Sequence, residues 1–573
     1  MPKHKKHLKK KKIAPTAQQI EQRKQKNSVR GVFRRIGFER VRVDGTQFTF
    51  MNRTGEIDDL FIYENIVILC EYTVGQSTTG HITKKKLLYD LILANPDAWV
   101  KLFKAKHQKF ESIVAQKNYL PDQYKIRIVY VSSLGVSDEI ESACPEFYFM
   151  DGARFRYFES LSKTIHRSAR FELFKYFKLG FKDVGSEVNN TSEVSKTFPG
   201  YVLPENFSSF PAHFKVVSFY ADPATLLQMS YVLRRDSWLD KEGLYQRILL
   251  RSKIRNMRRY LTTDKRVFVN NIIVTLPKET KLNDPEHHGV NLDPKTLTKV
   301  ANVMVSIPHR TDTVGIVDGQ HRIYCYHEGS DKFEGGISKI RGRQNLLVTG
   351  IIFPDSYSEA NKRKFEAKLF LEINDTQARA KSDLKQSIEL ILNPHSTIAI
   401  AKAIIQRLSE TGPLKGLLQT NYFDPPELIK TTSIVSYGLK PLVKLDGNDS
   451  LFHVWGETKK GLLKTSGDSK DPTLLSSYIE FCATTINDLL IAAKLASGAD
   501  KWKLDPSKKN HVLSPTVLNG FLVCLRLLIS NGKVQSAKSY EKRLNGLSGF
   551  SFGSYKSSHW RLLGDALFKK YFA

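Results

Sequence analysis

The chain has few cysteines, and their spacing does not fit a disulfide framework or a zinc site. Its 573 residues include five cysteines, which lie far apart and form no C-x-x-C pair. Disulfide scaffolds and structural zinc modules need regularly spaced cysteines, so the sequence argues against both classes. A reducing, cytoplasmic compartment is therefore predicted.

Long apolar runs and P-loops are also missing. No stretch is long and apolar enough to span a bilayer, and the basic segment that begins at Met1 lacks the apolar core of a signal peptide. We therefore expect no membrane partner. No G-x-x-x-x-G-K-[ST] pattern occurs, which excludes a P-loop nucleotide site.

Acidic residues are scarce relative to basic ones. The chain has 88 lysines and arginines against 58 aspartates and glutamates, a formal net charge of +30. Such an excess favours a polyanionic partner, most often nucleic acid, and a basic enzyme that binds none is the alternative. The hydrophobic share of 41% is sufficient for buried cores, and the length predicts about three domains.

Composition and periodicity divide the chain into five segments. Residues 1–28 are predicted to be a basic arm, either disordered or helical only against a phosphate backbone. A mixed strand and helix domain follows over 29–185, and a polar linker over 186–200. A second mixed domain covers 201–395, and 396–573 has helical periodicity. The predicted fold class is multidomain α/β and α+β.

A polar pentapeptide, Asp318-Gly319-Gln320-His321-Arg322, lies between two apolar segments. This pattern predicts a strand, a tight turn and the start of a helix. The glycine allows a ligand to approach the backbone, and free N–H groups at a helix start favour an anion such as phosphate. A capped turn with a surface arginine is the alternative.

The segment from Val317 to Arg322 resembles the signature of the DGQHR-domain family. That family includes the DndB-type proteins of DNA phosphorothioate modification and is related in fold to ParB and sulfiredoxin. Residues 245–247, followed by an arginine-rich helix, and residues 370–377 resemble two further elements in the same order. The resemblance covers roughly residues 205–395 and implies a ParB/DndB-like domain that senses DNA or binds a nucleotide, ATP or GTP.

Roles within this pentapeptide follow from residue chemistry. Arg322 is expected to bind phosphate, and Asp318 a metal ion or water. Asn374 and Gln377 are three residues apart, so on a helix they share a face and are predicted to line the same pocket. The residues expected to contact nucleotide or DNA are Asp318, Gly319, Gln320, His321, Arg322, Asn374 and Gln377.

The arginine-rich stretch at residues 251–260 is predicted to be helical, with its arginines on overlapping faces. Contact with DNA phosphates is the functional prediction, and a solvated helix face is the alternative. The predicted phosphate contacts are Arg251, Arg255, Arg258 and Arg259.

Acidic residues mark the ends of two apolar β segments, residues 57–63 and 66–71. Alternate residues of a strand share a face, so Glu56 and Asp58 are expected to project together. If the two segments form a hairpin, Asp58 and Glu71 can converge on one divalent cation. Oxygen ligands suit Mg²⁺ or Mn²⁺, and such a metal can activate water against a phosphodiester. A hairpin with solvated acids is the alternative.

The same segment resembles the PD-(D/E)xK nuclease superfamily over roughly residues 29–150. The family pattern is an acid at a strand start, a hairpin, and then Glu-x-Lys. Asp58 matches the first acid and Glu71 the second, but Thr73 stands where the family has lysine. The resemblance implies a restriction-endonuclease-like domain in which these two acids are catalytic metal ligands and Glu56 assists.

Threonine cannot replace the positive charge of the family's lysine. Lys84, Lys85 and Lys86 follow on the next predicted helix. One of these lysines is therefore expected to reach the site and to take the catalytic role, and Lys84 and Lys85 are the candidates.

The leading hypothesis is a metal-dependent DNA endonuclease of a defence or DNA-modification system, with double-stranded DNA, modified or unmodified, as its substrate. Cutting both strands usually needs two sites, so a homodimer is expected. A non-enzymatic, DndB-like DNA-binding regulator is the second hypothesis, which Thr73 favours. A nucleotide hydrolase centred on residues 318–322 is the third.

Overall fold

The structure, a computed structural model, is a mixed α/β fold with two compact units. Among the described residues, one unit comprises those up to Val232 together with Ile248–Ser356, and the other comprises Leu233 and those from Tyr357 onward. The multidomain α/β class is thus confirmed. The described residues are 16–43, 45–74, 78–132, 136–189, 194–233, 248–287, 290–377, 382–420, 424–464, 471–498, 500–504 and 512–573.

The first part of the first unit alternates strands and helices. Its strands are β1 (Glu39–Val41), β2 (Gln47–Phe50), β3 (Arg53–Glu56), β4 (Asp59–Tyr63), β5 (Ile66–Thr73), β6 (Lys125–Ser132) and β7 (Phe147–Met150). Its helices are α1 (Ala17–Ile36), α2 (Thr78–Ala94), α3 (Pro96–Lys106), α4 (Gln108–Lys117), α5 (Asp138–Ala143), α6 (Gly152–Ile165) and α7 (Ala169–Tyr176).

One mixed sheet in this part has the strand order β1-β4-β5-β6-β7. The predicted hairpin is present as the antiparallel pair β4–β5, and β5, β6 and β7 are parallel neighbours. Both faces of the sheet are covered. Phe33 of α1 stacks on Phe61 at 4.5 Å, whereas Leu60 and Ile62 share a core with Trp99 on the other face. Burial on both faces explains why β5 is a nearly continuous apolar run.

Helix α1 begins earlier than the sequence predicted. Thr16 and Gln19 form a capping box, and the helix then continues to Ile36. Residues 17–28, which were assigned to a basic arm, are therefore helical, and the earlier residues lie outside the described part. The tertiary contacts of this basic stretch, described below, give it partners that sequence periodicity does not show.

The second part of the first unit is built on a larger mixed sheet. Its strands are β8 (Ser195–Val202), β9 (Lys215–Ala221), β10 (Ser230–Tyr231), β11 (Ile272–Leu276), β12 (Lys281–Asn283), β13 (Ala301–Pro308), β14 (Val314–Asp318) and β15 (Leu346–Ile352). Its helices are α8 (Pro223–Met229), α9 (Arg251–Thr263), α10 (Gln320–Tyr324) and α11 (Glu334–Arg341).

The strand order of this sheet is β10-β14-β11-β15-β9-β8-β13-β12. Strand β8 pairs along its whole length with β13, although its first residues were predicted to belong to the linker. Phe198 and Val202 are buried while their neighbours are more exposed. The strand therefore has a buried face that its proline, glycine and polar residues conceal in the sequence.

The predicted strand, turn and helix around the polar pentapeptide are confirmed. Strand β14 ends at Asp318, and Gly319 has φ +99° before α10 begins. A left-handed conformation of this kind favours glycine, because a side chain there is strained. Cys325, which directly follows α10, is fully buried.

A buried arginine holds the loop that follows α10. Arg258 of α9 lies 3.0 Å from Asp331 through both Nε and Nη2, and 2.8 Å from Glu334. Its Nη1 also donates to the carbonyl of His327 at 2.8 Å. Since the Arg258 side chain is fully buried, its charge is compensated by partners inside the protein rather than by solvent or phosphate.

The second unit is mainly helical, as the periodicity after residue 396 predicts. Its elements are α12 (Glu359–Gln377), α13 (Ser382–Leu392), α14 (Thr397–Glu410), β16 (Leu418–Gln419), β17 (Ile429–Lys430), α15 (Lys440–Leu442), α16 (Leu451–Val454), α17 (Pro472–Ser497), α18 (Pro515–Ser530), α19 (Ala537–Arg543) and α20 (Trp560–Tyr571). Helices α12 and α13 group with this unit, although the sequence analysis placed them before the boundary at 395.

The described helices differ from membrane-spanning segments in length and apolar character. None of them is by itself long and apolar enough to cross a bilayer, and one bent pair, α13 with α14, meets the length and composition criteria when taken together.

Arg258 and Arg255 lie on the same helix, but Arg258 is buried and Arg255 is exposed. Replacing each of them by alanine should therefore affect stability differently. Arg258→Ala leaves Asp331 and Glu334 without their buried cation, so we expect it to lower the free energy of unfolding of the first unit by about 3–5 kcal/mol. Arg255 is exposed, and Arg255→Ala should change it by no more than about 0.5 kcal/mol. Urea titration followed by circular dichroism measures both. Equal losses in the two variants would contradict this assignment.

Candidate metal and phosphodiester site

The open end of the β4–β5 hairpin brings two of the predicted acids together. In the hairpin register Asp59 pairs with Cys70, so Asp58 and Glu71 occupy the next opposed positions. Asp58 Oδ2 accepts a hydrogen bond from the backbone N–H of Tyr72 at 3.1 Å. The hairpin therefore places the two acids at opposed positions, while their convergence on one cation stays a prediction.

The side chain of Glu71 is more deeply buried than that of Asp58. Its Oε1 accepts hydrogen bonds from Lys85 and from the Tyr89 hydroxyl. Its Oε2 is buried and accepts no hydrogen bond from any described residue, although Lys85 Nζ lies 3.1 Å away. Burial raises the pKa of Glu71 to about 7; the positive charge of Lys85 opposes this rise, and the nearby Asp58 adds to it.

The structure distinguishes among the three lysines of α2. Lys85 Nζ lies 3.1 Å from both carboxylate oxygens of Glu71 and donates to the carbonyl of Glu56 at 2.6 Å. Lys86 instead pairs with Asp90 at 2.9 Å and with Glu146. The side chain of Lys84 lies outside the described residues. Lys85 is thus a lysine of this group that contacts Glu71.

A second lysine, which the sequence analysis did not assign to the site, holds Asp58. Lys26 Nζ of α1 is 2.6 Å from Asp58 Oδ1, and both side chains are about one-fifth exposed. Nothing in the sequence links Lys26 to the hairpin. The link arises because α1 packs on the sheet through Val29, Val32 and Phe33, which places the Lys26 side chain beside Asp58.

Asp59 was also overlooked, and it has a structural role. It is fully buried and accepts hydrogen bonds from Arg30, Arg40 and the Tyr72 hydroxyl. Successive residues in a strand point to opposite faces. Two consecutive aspartates at a strand start could therefore have been expected to differ in role, with only one at the site.

The prediction that Glu56 and Asp58 project together from one strand is wrong. Glu56 ends β3, which pairs with β2, whereas Asp58 precedes β4 in the main sheet. The two acids do not lie on one continuous strand, because the chain leaves the β2–β3 hairpin between them. The carboxylate of Glu56 is exposed, and it is its backbone carbonyl that contacts Lys85.

The polar pentapeptide forms a separate cluster in the same unit. Arg322 Nη2 donates to Asp318 Oδ2 at 2.7 Å, so the residue expected to bind phosphate is paired with an acid. His321 Nε2 accepts a hydrogen bond from the backbone N–H of Leu250 at 3.3 Å. Leu250 immediately precedes α9, so the turn meets the start of the arginine-rich helix. Gln320 is largely buried.

The remaining predicted contacts have different surroundings. Arg251, Arg255 and Arg259 are exposed on α9, where phosphate contact remains a prediction. The burial of Arg258 corrects its assignment as a phosphate contact, because its guanidinium faces carboxylates inside the protein.

Two predicted pocket residues belong to the second unit. Asn374 Nδ2 donates to the carbonyl of Phe370 in its own helix at 2.8 Å. The side chain of Gln377 and residues 245–247 lie outside the described part, so the shared pocket stays a prediction.

Neither a clustering of metal ligands nor a relative identifies the site. Among the described residues, no group of three or more His, Cys, Asp or Glu side chains could hold a metal ion. Comparisons with protein families, curated proteins and solved structures give no match to the chain. The two resemblances seen in the sequence therefore remain predictions, and the site has to be judged by its geometry.

The raised pKa of Glu71 predicts a pH-dependent stability. At pH values between 4.5, the ordinary pKa of this carboxyl group, and about 7, Glu71 keeps a proton in the folded protein that it releases in the unfolded chain. The stability contributed by this proton is complete below about pH 4.5 and is lost as the pH rises through about 7. When the pH rises from about 5 to 8 without divalent metal, the free energy of unfolding of the wild type should fall by roughly 3 kcal/mol relative to that of Glu71→Gln. Thermal unfolding midpoints measure this, and parallel pH profiles would contradict it.

Proposed function

We propose that the protein is a metal-dependent DNA endonuclease whose active site consists of Asp58, Glu71 and Lys85. The observation that supports it is the position of Lys85, 3.1 Å from both oxygens of Glu71, the acid that is opposed to Asp58 in the hairpin register. The acid, hairpin and glutamate follow the PD-(D/E)xK order, and a lysine from the next helix compensates for Thr73. A restriction-endonuclease-like identity for this part of the chain belongs to the same proposal.

The donor set fits Mg²⁺ or Mn²⁺ with one condition. Glu71 Oε2 is a buried oxygen that accepts no hydrogen bond from the described residues, and Asp58 lies opposite it. Lys26 is paired with Asp58 Oδ1 and Lys85 lies 3.1 Å from Glu71 Oε2, so a metal ion has to compete with both ammonium groups. When bound, the cation would polarise the phosphodiester and lower the pKa of a water nucleophile.

The protein's own groups contribute positioning and charge. Tyr89 donates its hydroxyl to Glu71 and fixes the carboxylate. Lys85, held between Glu71 and the Glu56 carbonyl, presents an ammonium where negative charge develops on the phosphate or where water is to be oriented. A fixed cation of this kind stabilises the transition state more than the ground state.

The wider assignment extends to the rest of the chain. We propose double-stranded DNA as substrate, a DNA-modification or defence setting, and a ParB/DndB-like role for the second sheet in sensing DNA or a nucleotide. The formal charge of +30 supports a polyanionic substrate.

Cleavage of supercoiled plasmid with Mg²⁺ or Mn²⁺ tests the proposal. Wild type should nick or linearise the plasmid, and Glu71→Ala should not. Lys85→Ala should reduce the rate by about 100-fold or more, since positioned proton-transfer and charge-stabilising groups contribute factors of this size. Lys86→Ala is the matched control and should cleave nearly as fast as wild type.

A rescue variant separates a catalytic lysine from a structural one. Thr73 lies two residues after Glu71 on β5, on the same strand face. Adding Thr73→Lys to Lys85→Ala should restore part of the cleavage if the site needs a cation. No cleavage by wild type on modified or unmodified DNA, with DNA binding retained, would reject the nuclease.

A non-enzymatic DNA-binding regulator is the second candidate, and one observation favours it. Lys26 and Lys85 balance the charges of Asp58 and Glu71 without any metal. In that case the acids and lysines form a structural cluster, and the fold serves only to bind DNA.

Lys26→Met distinguishes the two candidates. In the nuclease it removes the cation that competes for Asp58, so Mn²⁺ affinity measured by calorimetry should rise several-fold, by roughly 1 kcal/mol or more. In the regulator, neither protein binds Mn²⁺, and the variant only loses stability. Lys24→Met is the control, because Lys24 is exposed on the same helix and has no ion pair within the described ranges.

A further inference from the structure

Helix α1 has a basic stripe beside its buried face. Val29, Val32, Phe33 and Ile36 pack inward. Arg23, Asn27, Arg30 and Arg34 follow one another at spacings of four, three and four residues, which places them on one face of the helix. We call these four residues the α1 stripe.

A groove runs beside the later half of the stripe. It has a volume of about 610 Å³ and is lined by Asn27, Arg30, Gly31, Arg34, Phe38, Glu39, Arg40 and Phe61. Three arginines therefore face the groove against one exposed acid, Glu39. The groove is open to solvent along the helix, which suits an extended partner rather than an enclosed small molecule.

Two of these arginines are held in place by a buried acid. Asp59 is fully buried, and Arg30 Nε lies 2.7 Å from it, while Arg40 Nε contacts its other oxygen. About a quarter of each arginine side chain remains exposed. One buried carboxylate therefore orients both guanidinium groups at the edge of the groove.

The other two arginines of the surface are exposed. Arg23 and Arg34 are open to solvent, and neither has an ion pair within the described ranges. From Arg23 to Arg34 the stripe spans roughly 16 Å at 1.5 Å per residue. Over that length of the duplex axis, one strand of B-DNA carries about five phosphates.

The same helix connects this surface to the candidate active site. Lys26 contacts Asp58, and one turn later Arg30 contacts Asp59. These two aspartates are neighbours in the chain, one at the site and one beneath the groove. Helix α1 therefore contacts both the candidate site and the acid beneath the groove.

We propose that the α1 stripe together with Arg40 binds the sugar–phosphate backbone of duplex DNA next to the Asp58–Glu71–Lys85 site. This inference rests on the proposed function for the statement that the bound duplex is the substrate. The binding itself depends only on the groove, its orienting acid and its exposed arginines. Contacts of this type position the DNA without reading its sequence.

Fluorescence anisotropy of the full-length protein with a labelled duplex of arbitrary sequence tests the binding. Arg23→Glu/Arg34→Glu should weaken affinity by at least about ten-fold and reduce the slope of log K against log salt by about 2, the value for two lost phosphate contacts. Lys106→Glu/Lys109→Glu is the matched control, with the same change in charge at exposed positions on and after α3. It should weaken binding about two-fold or less.

The outcomes separate this inference from the nuclease proposal. Equal weakening by both pairs, or no change in the stripe variant, overturns the stripe, and plasmid cleavage by wild type then still supports the nuclease. A selective loss in the stripe variant supports the stripe even if no protein cleaves DNA. If the glutamate pair fails to fold by circular dichroism, Arg23→Gln/Arg34→Gln replaces it, with the same expected change in slope and the same result required.

Discussion

Charge compensation of buried carboxylates at one end of the β4–β5 hairpin is the constraint on which the candidate site depends. Burying an ionised acid is costly unless a cation or several donors accompany it. Asp59 is matched by two arginines and a tyrosine, Asp58 by Lys26, and Glu71 by Lys85. These cations come from α1, β1 and α2, so the carboxylates tie the surrounding elements to the hairpin and fix where each basic side chain points.

The same constraint explains the position of Lys85. A buried glutamate needs a positive charge close by, and the position of that charge in the sequence is secondary to its position in space. Lys85 meets the requirement from a helix, while Glu71 retains an oxygen without a hydrogen bond among the described residues. Because Lys26 is paired with Asp58, the catalytic and non-catalytic hypotheses predict different effects of removing Lys26 on metal affinity.

Buried charge also organises the second sheet. Arg258 and its two acids hold the loop after α10, and in that loop Glu328 pairs with Arg170 of α7 at 2.6 Å. The loop after the pentapeptide is therefore bound both to α9 and to the layer that carries the hairpin. Among four arginines on one short helix, the sequence could not show which one is buried, because helical spacing places several of them on overlapping faces and the acids that select Arg258 lie more than seventy residues later.

The sequence by itself determined the local structure: the apolar hairpin, the strand, turn and helix around Gly319, and the helices of the second unit follow from periodicity and glycine chemistry. It also indicated three consecutive lysines as candidate partners of Glu71. Only the tertiary structure decided that Lys85 reaches Glu71, that Lys26 holds Asp58, that Glu56 leaves the strand and that Arg258 is buried. The physical reason is that burial and charge pairing depend on which elements pack together, and residues distant in the sequence set them.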